Sequence, residues 1–130
     1  MTHQDLTPEE EAIGKAIVNA AFKVHSTLGP GLLERIYEIC MVHELRKAGY
    51  FAARNLPVAI HYDEIKIEAG LRIDLIVQNL VIAEIKAVDH VSPYYYMQVL
   101  SQLRLTRHRL GYLINFNVPK IKDGIRRFVL

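Results

Sequence analysis

Three charged side chains, Asp74, Glu84 and Lys86, stand inside two otherwise apolar segments, residues 73–77 and 81–87. Burying a charge costs several kcal/mol unless a counter-charge or hydrogen bonds compensate for it. A structural ion pair would compensate Lys86 and one acid, but a single lysine cannot neutralise two carboxylates. Two carboxylates followed by a lysine can instead hold a divalent cation with an ammonium group beside it. This combination of side chains indicates hydrolysis of a phosphodiester bond.

The pairing of the two segments as antiparallel strands determines whether these side chains meet. Their apolar residues share one face only if an odd number of residues connects the strands, as Gln78-Asn79-Leu80 does. That register places Asp74 opposite Glu84, with Cβ atoms about 4.5–5.5 Å apart, and Lys86 about 7 Å further along the same face. The shared apolar face is then formed by Leu71, Ile73, Leu75, Val77, Val81, Ala83, Ile85 and Ala87.

The other elements follow from capping residues, chain breakers and hydrophobic periodicity. Thr7, Pro8 and Glu10 predict the start of a first helix that runs to about His25. The remaining predictions are a helix over 32–48 closed by Gly49, strands over 54–62, 71–77 and 81–87, a helix from Ser92-Pro93 to about Thr106, a strand over 110–116 and an edge strand over 126–130. The predicted order is ααβββαββ.

The composition predicts one globular domain over residues 1–130, since 51% of the 130 residues are hydrophobic and 23% are charged. No segment reaches the roughly 18 consecutive apolar residues of a membrane span, and the acidic, polar start lacks the order of a signal peptide. We therefore expect a cytoplasmic protein with no membrane partner. The single cysteine, Cys40, lies in a helical pattern and is expected to be a core residue.

The basic residues are concentrated towards the end of the chain. Residues 104–130 carry seven Lys or Arg and one acid, whereas the net charge of the whole chain is +2. A basic segment in a nearly neutral chain predicts contact with a phosphate backbone, with Arg104, Arg107 and Arg109 as the candidate residues. The alternative is a solvated basic surface that binds no ligand.

Motifs for other chemistries are missing. The six histidines are scattered, with no HExxH motif and no Cys/His pairing, which argues against a zinc site. Gly29-Pro30-Gly31 is not followed by the GK[ST] motif of a phosphate-binding loop, and there is no GxSxG motif. Metal-assisted hydrolysis is the chemistry that the sequence supports best.

Asp74 followed by Glu84-Ile85-Lys86 resembles the core motif of the PD-(D/E)XK nuclease superfamily. More narrowly, Gly31-Leu32-Leu33-Glu34-Arg35-Ile36-Tyr37 is similar to the motif that names the GxxExxY family of small prokaryotic proteins. The resemblance continues through residues 113–117 and 123–127 and covers about residues 10 to 128. It implies an α/β fold with a restriction-endonuclease-like core, in which helices flank a mixed central β-sheet.

The resemblance also implies roles for individual residues. Asp74 and Glu84 correspond to the metal-binding carboxylates, and Lys86 to the lysine that orients the attacking water or stabilises developing charge. Glu34 corresponds to a helix-borne acid that completes the metal shell in many superfamily members, with a plain surface position as the alternative. Tyr37, one turn further along the helix, is expected to pack rather than to react.

On the third predicted helix, Gln98 and Gln102 share a face at the four-residue spacing. The resemblance implies that Gln98 holds Lys86 or a phosphate. Similar nucleases usually carry tyrosine where this chain has Gln102, and two solvent-facing glutamines are the alternative. Tyr94-Tyr95-Tyr96, at the helix start, could stack on bases or contact phosphate, although packing is the expected role of at least two of these tyrosines.

Together these expectations describe a nuclease that uses Mg²⁺ or Mn²⁺ and acts on nucleic acid, DNA in preference to RNA. Two alternatives stay open. The fold could serve as a catalytically silent nucleic-acid-binding or regulatory module, or as a structural subunit that needs an accessory protein partner. A homodimer is also compatible with the sequence. Carboxylate-dependent binding of Mg²⁺ or Mn²⁺ distinguishes a nuclease from a scaffold.

Overall fold

The computed structural model describes residues 5–130. Helices α1 (Pro8–Leu28) and α2 (Glu34–Lys47) are followed by strands β1 (Ala52–Tyr62), β2 (Ile65–Val77) and β3 (Val81–Lys86). Helix α3 (Pro93–Thr106) then leads to β4 (Leu110–Asn115), a 3-10 turn (Ile121–Gly124) and β5 (Ile125–Val129). The predicted order of helices and strands is confirmed, with the short 3-10 turn added before the last strand.

The five strands form one mixed sheet in the order β1-β2-β3-β4-β5. Neighbouring strands are antiparallel, except that β3 and β4 run parallel and are joined by α3 as the crossover helix. This sheet with its three helices confirms the predicted α/β, restriction-endonuclease-like architecture. The parallel pair places the carboxyl ends of β3 and β4 at one edge of the sheet, next to the start of α3.

Helices cover both faces of the sheet. Helices α1 and α2 pack on one face through an apolar cluster that includes Ile13, Ile17, Met41 and Leu75. Helix α3 packs on the other face, where Val99 and Leu103 belong to a cluster with Ile82 and Leu113. Because residues 81–85 of β3 are all buried, a charged side chain on this strand is removed from water.

The ends of the first two helices follow their capping residues. Thr7 and Glu10 form the predicted capping box, with reciprocal hydrogen bonds of 3.1 and 2.8 Å. Gly49 has a φ of 94°, and the backbone N–H groups of Gly49 and Tyr50 bond to Arg46 and Leu45, which is a Schellman closure of α2. Among residues 5–130, no helix combines the length and apolar character needed to cross a bilayer.

Helix α1 continues past the predicted end at His25 and stops at Leu28. The predicted end at about His25 left Ser26 and Thr27 outside the helix. Their hydroxyl groups instead donate to the carbonyl oxygen of Lys23 at 3.0 Å, inside the last turn. The helix then ends at Gly29, which has a left-handed φ of 68°.

Strand β2 begins at Ile65 and is therefore longer than the predicted segment 71–77. Its first half pairs with the end of β1, for example Ile60 with Ile67 and Tyr62 with Ile65. Residues 61–70 are exposed on both sides of this hairpin. Ile65 and Ile67 alternate with Lys66 and Glu68 there, which is a strand pattern that the prediction for 71–77 did not use.

The connection between β2 and β3 has the predicted length. Val77 pairs with Val81, so Gln78-Asn79-Leu80 link the two strands. Gln78 and Asn79 adopt left-handed backbone conformations with φ of 55° and 53°. The turn sets the register of the two strand ends that it joins. This register is the one that the alternation of apolar residues predicts.

Candidate active site

Strands β2 and β3 bring Asp74 and Glu84 together where their pairing ends. Leu75 pairs with Ala83, and the same register carried one residue further places Asp74 opposite Glu84. At that point the strands diverge, and Oδ2 of Asp74 accepts a hydrogen bond of 2.9 Å from the backbone N–H of Ile85. The Asp74 carboxylate thus lies in the gap between the strands, beside Glu84.

The alternation of side chains along β2 is interrupted at Asp74. The predicted position of Ile73 on the same face as Leu75 is wrong, because Ile73 packs in the cluster of Ile76 beneath α3. On the neighbouring strand β1, Asn55 has a left-handed φ of 61°. This irregularity lies at the level of Asp74, where strict two-residue periodicity along β2 fails.

Glu84 is buried on the face that α3 covers. Its Oε2 atom accepts a hydrogen bond of 3.0 Å from Nε2 of Gln102, and its Oε1 atom lies 3.4 Å from Nζ of Lys86. Burial, followed by the negative charge of Asp74, raises the pKa of Glu84 to about 7. A cation placed between the two carboxylates would favour the ionised form of Glu84.

Lys86 ends strand β3. Its side chain is only 14% exposed, and Nζ lies 4.5 Å from the centre of the Tyr95 ring, a cation–π contact. The ion pair with Lys86 compensates the charge of Glu84, as expected if Lys86 and one acid form a structural ion pair. It leaves Asp74 without a cationic side chain at ion-pair distance within the described part of the chain.

The GxxExxY segment builds the start of α2 through Tyr37. This side chain is fully buried and stacks on Phe116, with ring centres 4.4 Å apart. The Tyr37 hydroxyl donates to the carbonyl oxygen of Gly29 at 2.7 Å and accepts from the backbone N–H of Leu32 at 3.1 Å. Tyr37 therefore packs, as predicted, and holds the loop that precedes Glu34.

The acid of α2 that interacts with Asp74 is Glu38, one turn beyond Glu34. Glu38 is buried and accepts a hydrogen bond of 3.2 Å from Arg54 of β1. Burial, followed by the negative charge of Asp74, raises the pKa of Glu38.

No three His, Cys, Asp or Glu side chains within residues 5–130 are grouped closely enough to hold a metal ion, so Glu34 is not assembled with Asp74 and Glu84 here. The four-residue spacing from Glu34 was the only indication of Glu38 in the sequence.

Gln98 and Gln102 line one cleft, in keeping with their predicted common face. The cleft has a volume of about 520 Å³, and Glu84 lies in its wall opposite Gly70–Arg72 of β2. Gln102 is the glutamine that contacts Glu84, although the sequence assigned it no role. The Oε1 atoms of both glutamines are buried and have no hydrogen-bond partner. The alternative of two solvent-facing glutamines does not hold for Gln102, which is 5% exposed.

The segment that follows Lys86 is held by Asn115 at the end of β4. Asn115 is buried, its Oδ1 atom accepts from the backbone N–H of Val88 at 3.0 Å and its Nδ2 atom donates to the Val88 carbonyl at 2.9 Å. This pair of hydrogen bonds mimics a continuation of the strand pairing. The sequence contained Asn115 within the resemblance over 113–117 but gave no indication of this contact.

Two of the three arginines expected to contact nucleic acid, Arg107 and Arg109, lie apart from the carboxylates, whereas Arg104 contacts Ser101 in the lining of the cleft. Val81 pairs with Leu110, so Arg107 and Arg109 precede β4 at the end of the sheet where β3 begins. Glu84 lies three residues further along β3, which corresponds to about 10 Å of strand. A ligand confined to the carboxylate cleft therefore does not reach these two arginines.

The contacts of the three arginines also differ from one another. Arg104 and Arg107 are exposed, and Arg104 donates to the Ser101 hydroxyl at 3.3 Å. Arg109 donates to the backbone carbonyls of Leu130 and Asp5 at 3.3 and 3.0 Å and so links the last described residue to the first. Arg109 has a structural role in addition to any contact with a ligand.

The donor set at Asp74 and Glu84 fits a hard divalent cation. Carboxylate oxygens are the ligands that Mg²⁺ and Mn²⁺ prefer, and Mg²⁺ is commonly held by one or two carboxylates with water and substrate phosphate in the remaining positions. The carboxylates of Asp74 and Glu84 repel each other, and this repulsion and burial raise the pKa of Glu84 to about 7. A divalent cation between the two carboxylates would offset the repulsion. A third protein carboxylate is not required for this fit.

Comparison with known proteins gives one match. The family model of the PD-(D/E)XK nuclease superfamily matches residues 11–128, which include every residue of the carboxylate cleft. Neither the curated proteins nor the solved structures contain a significant match. Nucleases of this superfamily generally use divalent metal ions and act on nucleic acid. Because the match extends over nearly the whole chain, this protein belongs to the PD-(D/E)XK nuclease superfamily.

Proposed function

We propose that this protein is a nuclease that hydrolyses phosphodiester bonds with Mg²⁺ or Mn²⁺, and that it belongs to the GxxExxY group within the superfamily. The observation that carries the proposal is the pairing of Asp74 with a buried Glu84, beside a Lys86 ammonium group 3.4 Å from Glu84. Asp74 has no cationic side chain of its own among the described residues. A purely structural ion pair leaves that charge uncompensated.

Asp74 and Glu84 would hold the metal ion. The chemistry that such an ion supplies is polarisation of a phosphate oxygen and activation of water. Asp74 is fixed by its hydrogen bond from the Ile85 backbone, and Glu84 by its bond from Gln102. Both carboxylates are therefore positioned before an ion arrives, which reduces the reorganisation that binding requires.

Lys86 would act on the reacting phosphate. Its ammonium group can donate a hydrogen bond to the attacking water or to a phosphate oxygen on which charge develops. The Tyr95 ring supports the ammonium group from one side, at 4.5 Å, and the ion pair with Glu84 limits its other positions. Lys86 thereby stays next to the carboxylates in a largely desolvated setting, where its charge acts more strongly than it does in water.

A second candidate function is a nucleic-acid-binding module without catalysis. It is favoured by one observation, that no third acid joins Asp74 and Glu84 among residues 5–130. Such a module would bind nucleic acid without divalent metal and would not cleave it. The two functions therefore differ in a direct cleavage assay.

Purified protein incubated with single-stranded, duplex and branched DNA and with RNA tests the proposal. We expect cleavage of at least one substrate with Mg²⁺ or Mn²⁺, none with EDTA, and loss of cleavage in Glu84→Gln. Glu64→Gln is the matched control, because Glu64 lies in the exposed turn of the β1–β2 hairpin. Binding without cleavage of any substrate, or equal cleavage by Glu84→Gln, would overturn the proposed activity.

A further inference from the structure

The cleft that contains Glu84 has a polar interior and an apolar rim. Gln98, Ser101 and Gln102 of α3 form one wall with Glu84, and Gly70–Arg72 of β2 lie in the lining as well. At the rim, the side chains of Tyr94 and Met97 are 53% and 61% exposed. Large apolar side chains with this exposure next to a candidate active site provide a surface on which a flat, apolar group can stack.

Of the three consecutive tyrosines at the start of α3, Tyr94 is the one whose ring is available for a ligand. The Tyr95 ring carries the Lys86 ammonium group on its face. The Tyr96 ring is covered by the Arg126 guanidinium group at 4.1 Å and packs against Phe128. Tyr94 lies next to Tyr95, with ring centres 6.4 Å apart, and it lines the same cleft as Glu84.

The glutamines of the cleft carry two hydrogen-bond acceptors that have no partner. The Oε1 atoms of Gln98 and Gln102 are buried without a partner, and Gln102 as a residue is 5% exposed. An unsatisfied buried acceptor is unfavourable, and Gln98 is half-buried in the cleft wall, so rotation of its amide towards the cleft would let Oε1 accept from a ligand N–H group. A nucleobase offers amino and imino N–H groups along its edge, but a base in a duplex uses them for pairing.

Arg72 supplies a positive charge in the lining. It is exposed, it donates to Oδ1 of Asn55 at 2.7 Å, and it has no ion-pair partner within residues 5–130. Its remaining N–H groups are free to meet a phosphate oxygen. The lining therefore combines a phosphate-binding cation, an aromatic platform and the Gln98 amide beside Glu84.

We propose that this cleft binds one unpaired nucleotide next to the reacting phosphate, with its base on Tyr94 and Met97, its edge at Gln98 and its phosphate at Arg72. The proposal rests on the proposed nuclease function and deepens it by naming the substrate class. The substrate is single-stranded nucleic acid or a strand that is locally unpaired at the point of cleavage. A base held in a duplex cannot present its edge to Gln98 and its face to Tyr94 together.

Binding in EDTA tests the proposal without any contribution from cleavage. Fluorescence anisotropy with a labelled 12-nucleotide strand and with its duplex, as DNA and as RNA, measures the preference for strand state. We expect tighter binding of single strands and roughly 5- to 150-fold weaker binding in Tyr94→Ala, the equivalent of about 1–3 kcal/mol per stacked base. Met97→Ala should weaken binding in the same direction.

Leu105→Ala is the matched control, because Leu105 is 47% exposed on the same helix and does not line the cleft. Thermal unfolding of each variant confirms that the fold is retained. Equal affinity for strand and duplex, or unchanged single-strand affinity in both Tyr94→Ala and Met97→Ala, would overturn the proposal. A separate cleavage assay with Mn²⁺ decides the nuclease function, so failure of either idea is recognised independently of the other.

Discussion

The Glu84 carboxyl group should make the stability of the metal-free protein depend on pH. Its pKa in the folded protein is about 7, against an ordinary value of 4.5, because of burial and the charge of Asp74. Between these pH values the unfolded chain binds fewer protons than the folded protein, so the free energy of unfolding falls as the pH rises. The loss from Glu84 is on the order of 3 kcal/mol, since one pKa unit corresponds to about 1.4 kcal/mol.

Urea unfolding in EDTA at pH 5, 6, 7 and 8 measures this effect. We expect stability to decline from pH 5 to pH 8 in the wild type, and Glu84→Gln to remove most of that decline. Glu64→Gln, in the exposed turn, should retain the wild-type profile. An unchanged pH profile in Glu84→Gln would show that the buried carboxyl group is not the cause.

Gln102 should raise the affinity for the metal ion by holding the Glu84 carboxylate in position. Gln102→Met removes the donor to Oε2 of Glu84, which lies at 3.0 Å, at nearly constant side-chain volume. We expect Mn²⁺ affinity, measured by calorimetry, to fall roughly 10- to 100-fold, the usual effect of losing a hydrogen bond to a metal ligand. Asn19→Ala, on the exposed surface of α1, is the control. Wild-type Mn²⁺ affinity in Gln102→Met would contradict the positioning role.

The proximity of Asp74, Glu84 and Lys86 could be predicted from the sequence. Three charged side chains on two buried strands, whose register follows from their apolar residues, can be arranged in only a few ways. The contact of Gln102 with Glu84 could not be predicted, because it depends on where α3 crosses the sheet. The periodicity of apolar residues in α3 does not determine that position. Glu38 was missed in favour of Glu34 for a related reason. Which turn of α2 faces Asp74 depends on how the helix packs on the sheet, which the spacing of residues along the helix does not determine.

At the level of the elements, Asn115 should stabilise the junction between β4 and the segment after β3. Asn115→Ala removes two hydrogen bonds to Val88 and one from the backbone N–H of Asn117. Because the freed backbone groups are partly buried, we expect a loss of roughly 2–4 kcal/mol in the free energy of unfolding. Asn117→Ala removes one exposed bond to Asp89 and should cost less than about 1 kcal/mol. Equal losses in the two variants would contradict this assignment.

Helix ends with capping residues were predictable because the capping interactions are local in sequence. Thr7 and Gly49 form the predicted contacts, and α3 has the predicted bounds. In the outer half of the β1–β2 hairpin, the β1 residues were predicted within the strand over 54–62, whereas the exposed residues 65–70 of β2 were not. Its strand pairing depends on a register that continues from the buried half, which is information that the local pattern does not contain.

Across the whole molecule, the basic residues should affect long ligands and not short ones. Arg107 precedes β4 at the end of the sheet away from Lys86, and a stacked strand rises about 3.4 Å per nucleotide. A dinucleotide held at Glu84 spans about 7 Å and so does not cover the roughly 10 Å of strand to the level of Arg107, whereas a 20-nucleotide strand does. We expect the double variant Arg104→Ala/Arg107→Ala to flatten the salt dependence of binding for the long strand only, by roughly 0.7 in log–log slope per lost contact.

Anisotropy titrations of both oligonucleotides over a range of NaCl concentrations measure these slopes. The double variant Lys15→Ala/Lys47→Ala is the control of equal charge, since both lysines are exposed on the helices that cover the other face of the sheet. An unchanged slope for the long strand in the double variant would assign these arginines to the solvated surface, the alternative that the sequence left open.

The most direct test of metal-dependent catalysis is the single-turnover cleavage rate of Lys86→Ala, measured beside its Mn²⁺ affinity and its substrate affinity. Lys86 is proposed to act on the reacting phosphate, while Asp74 and Glu84 hold the ion. We expect the cleavage rate to fall roughly 10²- to 10⁴-fold, the usual effect of losing one positioned catalytic group, with both affinities within a few-fold of the wild type. Cleavage by Lys86→Ala at the wild-type rate would contradict the role assigned to Lys86 and the active site built around it.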